Sequence, residues 1–167
     1  NLPVFNKPDS QEICFVPNQD YAGLVKRRTP EAFSPGTLVN AAGQVMGEHE
    51  GHQHFTIGQR KGVGVALGYP VYVVDINPAD NRVTLGDKTD LLRKRLFANQ
   101  INLLGDLPGE DAPPLNCTAK IRYNHPPQPA AVRRIGEDQI VVEFDEPQSA
   151  ITPGQAVVLY DGEVVLG

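Results

Sequence analysis

The run from 115 to 123, Leu-Asn-Cys-Thr-Ala-Lys-Ile-Arg-Tyr, alternates without a break. Leu115, Cys117, Ala119, Ile121 and Tyr123 fall on one side of an extended chain, and Asn116, Thr118, Lys120 and Arg122 on the other. Wound as a helix, the same residues would scatter their apolar side chains around the axis, so the spacing predicts a strand with one buried face. Cys117 is therefore expected in a core, and Lys120 and Arg122 at a solvent face.

Similar short runs surround it. Residues 97–104 are expected to open this half of the chain as a strand, and 105–114 to form an acidic, proline-containing loop. Residues 130–135 and 139–144 pair around Gly136-Glu137-Asp138, and 156–160 and 163–166 close around Asp161-Gly162, a tight-hairpin signal. Six short antiparallel strands in so little chain are best closed into a small barrel, which leaves no edge to pair with other molecules. Sixteen glycines, fifteen prolines and no tryptophan in 167 residues extend the same preference for strands and turns to the rest.

The first half reads as a smaller β-rich unit. Residues 35–47 form a hairpin turning on Asn40 and Gly43, and 69–76 pairs with 82–86 across Asn77-Pro78-Ala79-Asp80-Asn81. One short helix is expected over about 18–28, with Asn18 as N-cap, Tyr21, Leu24 and Val25 as its apolar face, and Lys26-Arg27-Arg28 at the end a helix dipole leaves negative. The charged stretch 87–95 reads as a helical or irregular connection with Leu91, Leu92 and Leu96 inward. It sets a domain boundary near Arg93, giving a central β-rich domain over 1–93 and a C-terminal antiparallel β-barrel over 94–167. The fold class is mainly β.

A formal charge of −5 excludes a surface that is basic throughout, but not a local basic face. Lys26, Arg27 and Arg28 suit either a solvated helix end or contact with phosphates. Gly58-Gln59-Arg60-Lys61-Gly62-Val63-Gly64 matches neither the P-loop nor the dinucleotide spacing, yet it joins a supple backbone to Gln59, Arg60 and Lys61, which suit phosphates and unstacked bases. His49, His52 and His54 lack zinc-protease spacing, and Gly51 interrupts any helix there, so no metal site is expected and a polar turn is the better account. Two cysteines 103 positions apart form no disulfide framework, in keeping with a reducing cytoplasm. No apolar run approaches the ~20 residues that span a bilayer, and the first residues are not signal-like.

Cys14 lies in Lys7-Pro8-Asp9-Ser10-Gln11-Glu12-Ile13-Cys14-Phe15-Val16-Pro17, a run opened and closed by prolines, where Asp9 and Ser10 can accept backbone hydrogen bonds. From the residues alone it is either one position of a buried strand or a thiol presented on an ordered loop. The run resembles the cysteine loop Asp-Ser-Thr-Gly-Ile-Cys-Phe of the tRNA-specific 2-thiouridylases. Asp9, Ser10, Ile13, Cys14 and Phe15 match, and Gln11-Glu12 stand in place of Thr-Gly. The hairpin over 35–43, the run 55–64, Thr118-Ala119-Lys120-Ile121-Arg122-Tyr123, residues 142–148 and residues 150–156 also resemble that family, so the likeness extends over essentially the whole chain.

The resemblance implies a central domain and a C-terminal β-barrel that packs beside tRNA. It gives Cys14 the catalytic role of carrying a persulfide sulfur to C2 of an activated wobble uridine, supported by Asp9 and Ser10. It puts Lys26, Arg27, Arg28, Gln59, Arg60, Lys61, Lys120 and Arg122 near the RNA and gives Cys117 no role. ATP and magnesium would belong to an N-terminal ATP-binding domain whose characteristic loop does not occur in these residues, and no cofactor would be bound by them. The implied partners are a wobble-uridine tRNA, a persulfide-donating sulfur carrier or cysteine desulfurase, and that N-terminal domain, with no membrane. Alone, the chain would complete no thiolation. The rival readings are a stand-alone RNA- or protein-binding β module with a structural Cys14, and a scaffold without RNA. Mild alkylation of the folded chain is expected to label Cys14 before Cys117; the reverse order overturns this assignment of roles.

Overall fold

A computed structural model describes residues 21–30, 33–65 and 68–167. In order, they form α1 (Tyr21–Arg28), β1 (Gly36–Asn40), β2 (Val45–His49), β3 (Tyr72–Asn77), β4 (Arg82–Gly86), β5 (Leu92–Asn99), β6 (Leu115–Lys120), β7 (Gln128–Gly136), β8 (Gln139–Ser149), β9 (Val158–Asp161) and β10 (Val164–Val165). Two 3-10 turns, His52–His54 and Lys88–Leu91, complete the set.

The first sheet has the order β2-β1-β4-β3. Its β1–β2 turn is built by Asn40, whose Oδ1 accepts the backbone N–H groups of Ala42 (3.0 Å) and Gln44 (2.9 Å) while Gly43 takes a positive φ of 80°. β3 and β4 form the second expected hairpin. Between the two hairpins, β1 and β4 run parallel, from Thr37 opposite Arg82 to Asn40 opposite Leu85, a pairing that neither hairpin signals on its own. Gly36 permits this junction: a Cβ there would lie 2.0 Å from the Asn81 carbonyl oxygen. Leu38, Val63, Val73, Val83 and Leu85 make the core of this sheet.

The second sheet has the order β10-β9-β6-β7-β8-β5, each neighbour antiparallel. Alternation along β7 and β8 sends Ala130, Val132, Ile140, Val142 and Phe144 inward, where they meet Leu96, Ala119, Ile121 and Leu159. Strand pairing does not close the ladder into a complete barrel. Its two outer strands are bridged instead by the irregular segment after β5, whose Leu104 and Gly105 N–H groups donate to the Leu166 carbonyl at 2.9 and 3.2 Å. An interior cleft of about 720 Å³ remains along this seam.

Four sequence expectations shift. The strand expected over 97–104 is β5, which begins at Leu92 and ends at Asn99; Leu92 to Arg95 are all exposed, so no period-two pattern marks its start. Leu91 and Leu96 are buried as expected, but Leu92 is exposed. Tyr123 is 58 % exposed because β6 ends at Lys120 and the chain turns, with the His125 N–H donating to the Arg122 carbonyl. Cys117 packs against the core but is half-buried, and burial, aided by the Asp161 charge, pushes its thiol pKa up.

Phe144, 1 % exposed at the centre of the second sheet, is the largest fully buried side chain. Phe144→Ala is expected to lower unfolding free energy by about 3–5 kcal/mol in urea titrations, with the lost ring leaving a cavity that β7 and β5 cannot collapse to fill.

Candidate nucleic-acid interface

Asp9, Ser10 and Cys14 lie outside the described residues. Lys26, Arg27 and Arg28 form the exposed last turn of α1, closed by Thr29, whose N–H and Oγ1 both donate to the Val25 carbonyl at 2.8 and 3.1 Å. Lys26 Nζ lies 5.9 Å from the centre of the Phe33 ring, and Phe33 meets His54 edge-on at 5.3 Å. These contacts hold the basic end of the helix beside the turn that follows β2.

In that turn the three histidines have separate jobs. His49 is buried with its Nδ1 accepting the Gly51 N–H at 3.1 Å, and its ring meets Phe55 edge-on. His52 Nδ1 lies 2.9 Å from Asn81 Oδ1, and Asn81 Nδ2 donates back to Ser34 and Pro35. Among the described residues no group of three or more His, Cys, Asp or Glu side chains could hold a metal ion.

Gln59, Arg60 and Lys61 sit on a loop that is firmly pinned. Gly58 N–H donates to the Val73 carbonyl (2.8 Å), Val73 N–H to the Gln59 carbonyl (2.9 Å), and the Gln59 side chain accepts from Thr56 N–H (3.0 Å) and donates to the Lys61 carbonyl (3.0 Å). Gln59 is thus spent on shaping the loop, while Arg60 and Lys61 project as exposed cations. Lys120 is half-buried with Nζ 5.6 Å from the centre of the Tyr123 ring. Arg122 Nη2 donates to the carbonyls of Ser149 (2.9 Å) and Ala150.

Ala150 brings two of these groups together. Its Cβ lies 3.2 Å from where a Cβ would stand at Gly58, so the 56–61 loop abuts the residue whose carbonyl Arg122 holds. The structure therefore joins the Arg60–Lys61 loop and Arg122 at one seam between the sheets.

A further set of cations went unnoticed in the sequence because 87–95 looked like a connection. On the outer face of the second sheet, Arg95 lies opposite Glu143, and Phe97 opposite Val141, which in turn lies opposite Arg133. Arg95 holds Glu143 through two bonds, Nε to Oε2 at 3.0 Å and Nη2 to Oε1 at 3.2 Å, and this pairing keeps the Glu143 carboxyl below the usual carboxylate range, with Lys94 and Arg133 adding to the effect. The signal that could have exposed them was Val141-Glu143 alternating with the buried Ile140-Val142-Phe144, which demands an outer partner row.

Two family models match the chain: a tRNA methyl transferase PRC-barrel domain over residues 23–87 and an aminomethyltransferase beta-barrel domain over 93–167. These define the class, two β-rich domains that each match a barrel-domain family. The tRNA-specific 2-thiouridylase MnmA of Clostridioides difficile is 48 % identical over 166 residues, and that of Carboxydothermus hydrogenoformans 49 % over 169. These alignments take in 99 % and 100 % of this chain and 45 % of each relative. The chain belongs to the tRNA-specific 2-thiouridylase family and spans slightly under half the length of the curated relatives it matches.

His49 gives a pH prediction. Burial lowers its pKa below 6.5, the positive tendencies of His52 and His54 lower it further, and the Asn81 backbone offsets this only in part without meeting hydrogen-bond geometry at Nε2. As pH falls below about 6.5 the unfolded chain takes up a proton that the folded chain resists, so stability falls with acid. Denaturant titrations between about pH 7.5 and 5.5 should show a smaller acid-dependent loss in His49→Gln than in the wild type; equal losses overturn the assignment.

Proposed function

We propose that this chain is the RNA-contacting and sulfur-carrying part of a tRNA 2-thiouridylase. The observation that carries the reading is the similarity over 99 % of its length to proteins named for that activity. It does not favour a stand-alone binding module. In this reading residues 1–93 form the central domain and 94–167 the C-terminal barrel domain, working in the cytoplasm; no described helix is long and apolar enough to cross a membrane.

The substrate is a wobble-uridine tRNA. Lys26, Arg27, Arg28, Arg60, Lys61, Lys120 and Arg122 supply charge to its phosphates, and Gln59 holds the loop that presents two of them. Cys14, supported by Asp9 and Ser10, accepts a sulfur atom from a sulfur carrier or cysteine desulfurase as a persulfide. Its outer sulfur then passes to C2 of the uridine, replacing the carbonyl oxygen, and a second cysteine outside this chain accepts Cys14 in a disulfide. Cys117, with a raised thiol pKa and a seat against the core, has no part in the exchange.

Activation of the uridine oxygen requires ATP and magnesium, and the described residues do not fit them. The Gly58 and Gln59 N–H groups, which would have to cradle a phosphate, already donate to the carbonyls of Val73 and Thr56. That step is assigned to the N-terminal ATP-binding domain of the enzyme, and the chain alone is expected to thiolate nothing.

Two measurements test the reading. Incubated with a persulfide donor, the chain should gain one sulfur atom on Cys14 by peptide mass analysis, and Cys14→Ser should gain none. Arg60→Ala with Lys61→Ala should weaken tRNA binding and reduce its salt slope by about 1.5, the sum of two phosphate contacts. An unchanged slope removes this loop from the RNA surface.

A further inference from the structure

The outer face of β5, β8 and β7 carries a feature that the proposed RNA-contacting residues do not use. Phe97, from the middle of β5, is 73 % exposed, although a phenylalanine in a sheet ordinarily packs under something. It shares a cross-strand row with the half-buried Val141 and the exposed Arg133, and Ile135 flanks that row. These residues line a shallow groove of about 680 Å³ together with Lys94 and Arg95. Lys94 and Arg95 both line it although they are neighbours in sequence; the pairing is irregular here, with β8 stepping from Gln148 to Glu143 while β5 steps only from Arg93 to Arg95.

The charges select the occupant. Glu143 lies in the groove but is neutralised by its two bonds to Arg95, leaving Lys94 and Arg133 in the same lining exposed, with no ion pair among the described residues; Asp145 is the one other acid there. A flat, exposed aromatic ring on a sheet, bordered by cations, meets the two requirements of an unpaired nucleobase, a face to stack on and charge for its phosphate. An acidic polypeptide would satisfy the cations but leave the ring uncovered.

We infer that this face is a base-stacking platform, with Phe97 taking one unpaired base of the bound RNA and Arg133 and Lys94 its flanking phosphates. The inference rests on the RNA reading above and adds to it a second contact surface, separate from the seam of Arg60 and Arg122.

Because the chain contains no tryptophan, Phe97→Trp creates a single indole emitter at the proposed stacking point. Titration of the 167-residue variant with a wobble-uridine tRNA, or with a short single-stranded RNA, should quench its emission, whereas heparin and poly-glutamate, which offer charge without bases, should not. Phe97→Ala should weaken RNA binding between about fivefold and a hundredfold, and Arg133→Ala should lower the salt slope by about 0.7. Salt-dependent tRNA binding with unchanged indole emission in Phe97→Trp and unchanged affinity in Phe97→Ala overturns the platform and leaves the proposed function standing. Equal quenching by poly-glutamate overturns it in favour of an acidic polypeptide. Absence of any tRNA binding by the wild-type chain overturns both.

Discussion

The two sheets depend on one another through Ala150. It is 6 % exposed and held at a φ of 51°, a left-handed conformation that costs an ordinary side chain about 1–2 kcal/mol. Several contacts hold it there. Its N–H donates to the Leu91 carbonyl at the end of the connecting 3-10 turn, its carbonyl accepts from Arg122 and from Thr152 Oγ1, and its methyl group packs with Val74, Leu91 and Ile57. These partners come from five different stretches of chain. The strain is tolerable because the surrounding structure determines the conformation several times over.

The same joint explains how an acidic chain keeps usable basic sites. A charge of −5 spread evenly would repel a polyanion, but screening confines each charge to a reach of roughly 10 Å, so local placement outweighs the total. Arg122 is tied to backbone carbonyls, Arg95 to Glu143, and Lys120 to the Tyr123 ring, so these cations are fixed in direction. Arg60 and Lys61 gain their direction differently, from a loop whose Thr56, Gly58 and Gln59 N–H groups and Gln59 side chain are committed.

Much of this was legible in the sequence where a local rule sufficed. Asn40 and Gly43 announced their turn, Asp161-Gly162 theirs, and the alternation placed Ala119 of β6 and Ile121 just beyond it in the core. The resemblance carried by Cys14 and the other motifs named the family. What escaped was long-range or irregular. The parallel β1–β4 pairing joins residues 45 positions apart and leaves no mark on either strand. The exposed start of β5, Leu92 to Arg95, carries no period-two pattern, which hid the strand and with it the company Phe97 keeps. Arg122 could be read as a surface cation, but that its guanidinium spans to Ser149 and Ala150 follows only from the packing of the two sheets.

The outer position of β5 has one more consequence. β5 is an outer strand of a ladder that strand pairing does not close, so its free side offers backbone N–H and C=O groups to any passing strand. Three consecutive cations, Arg93, Lys94 and Arg95, occupy that margin, Arg95 paired with Glu143 and the other two without a carboxylate partner among the described residues. A second molecule approaching edge to edge would bring its own Arg93 and Lys94 charges against them. The margin that leaves this ladder open thereby carries charge that opposes edge-to-edge pairing with a second copy of itself.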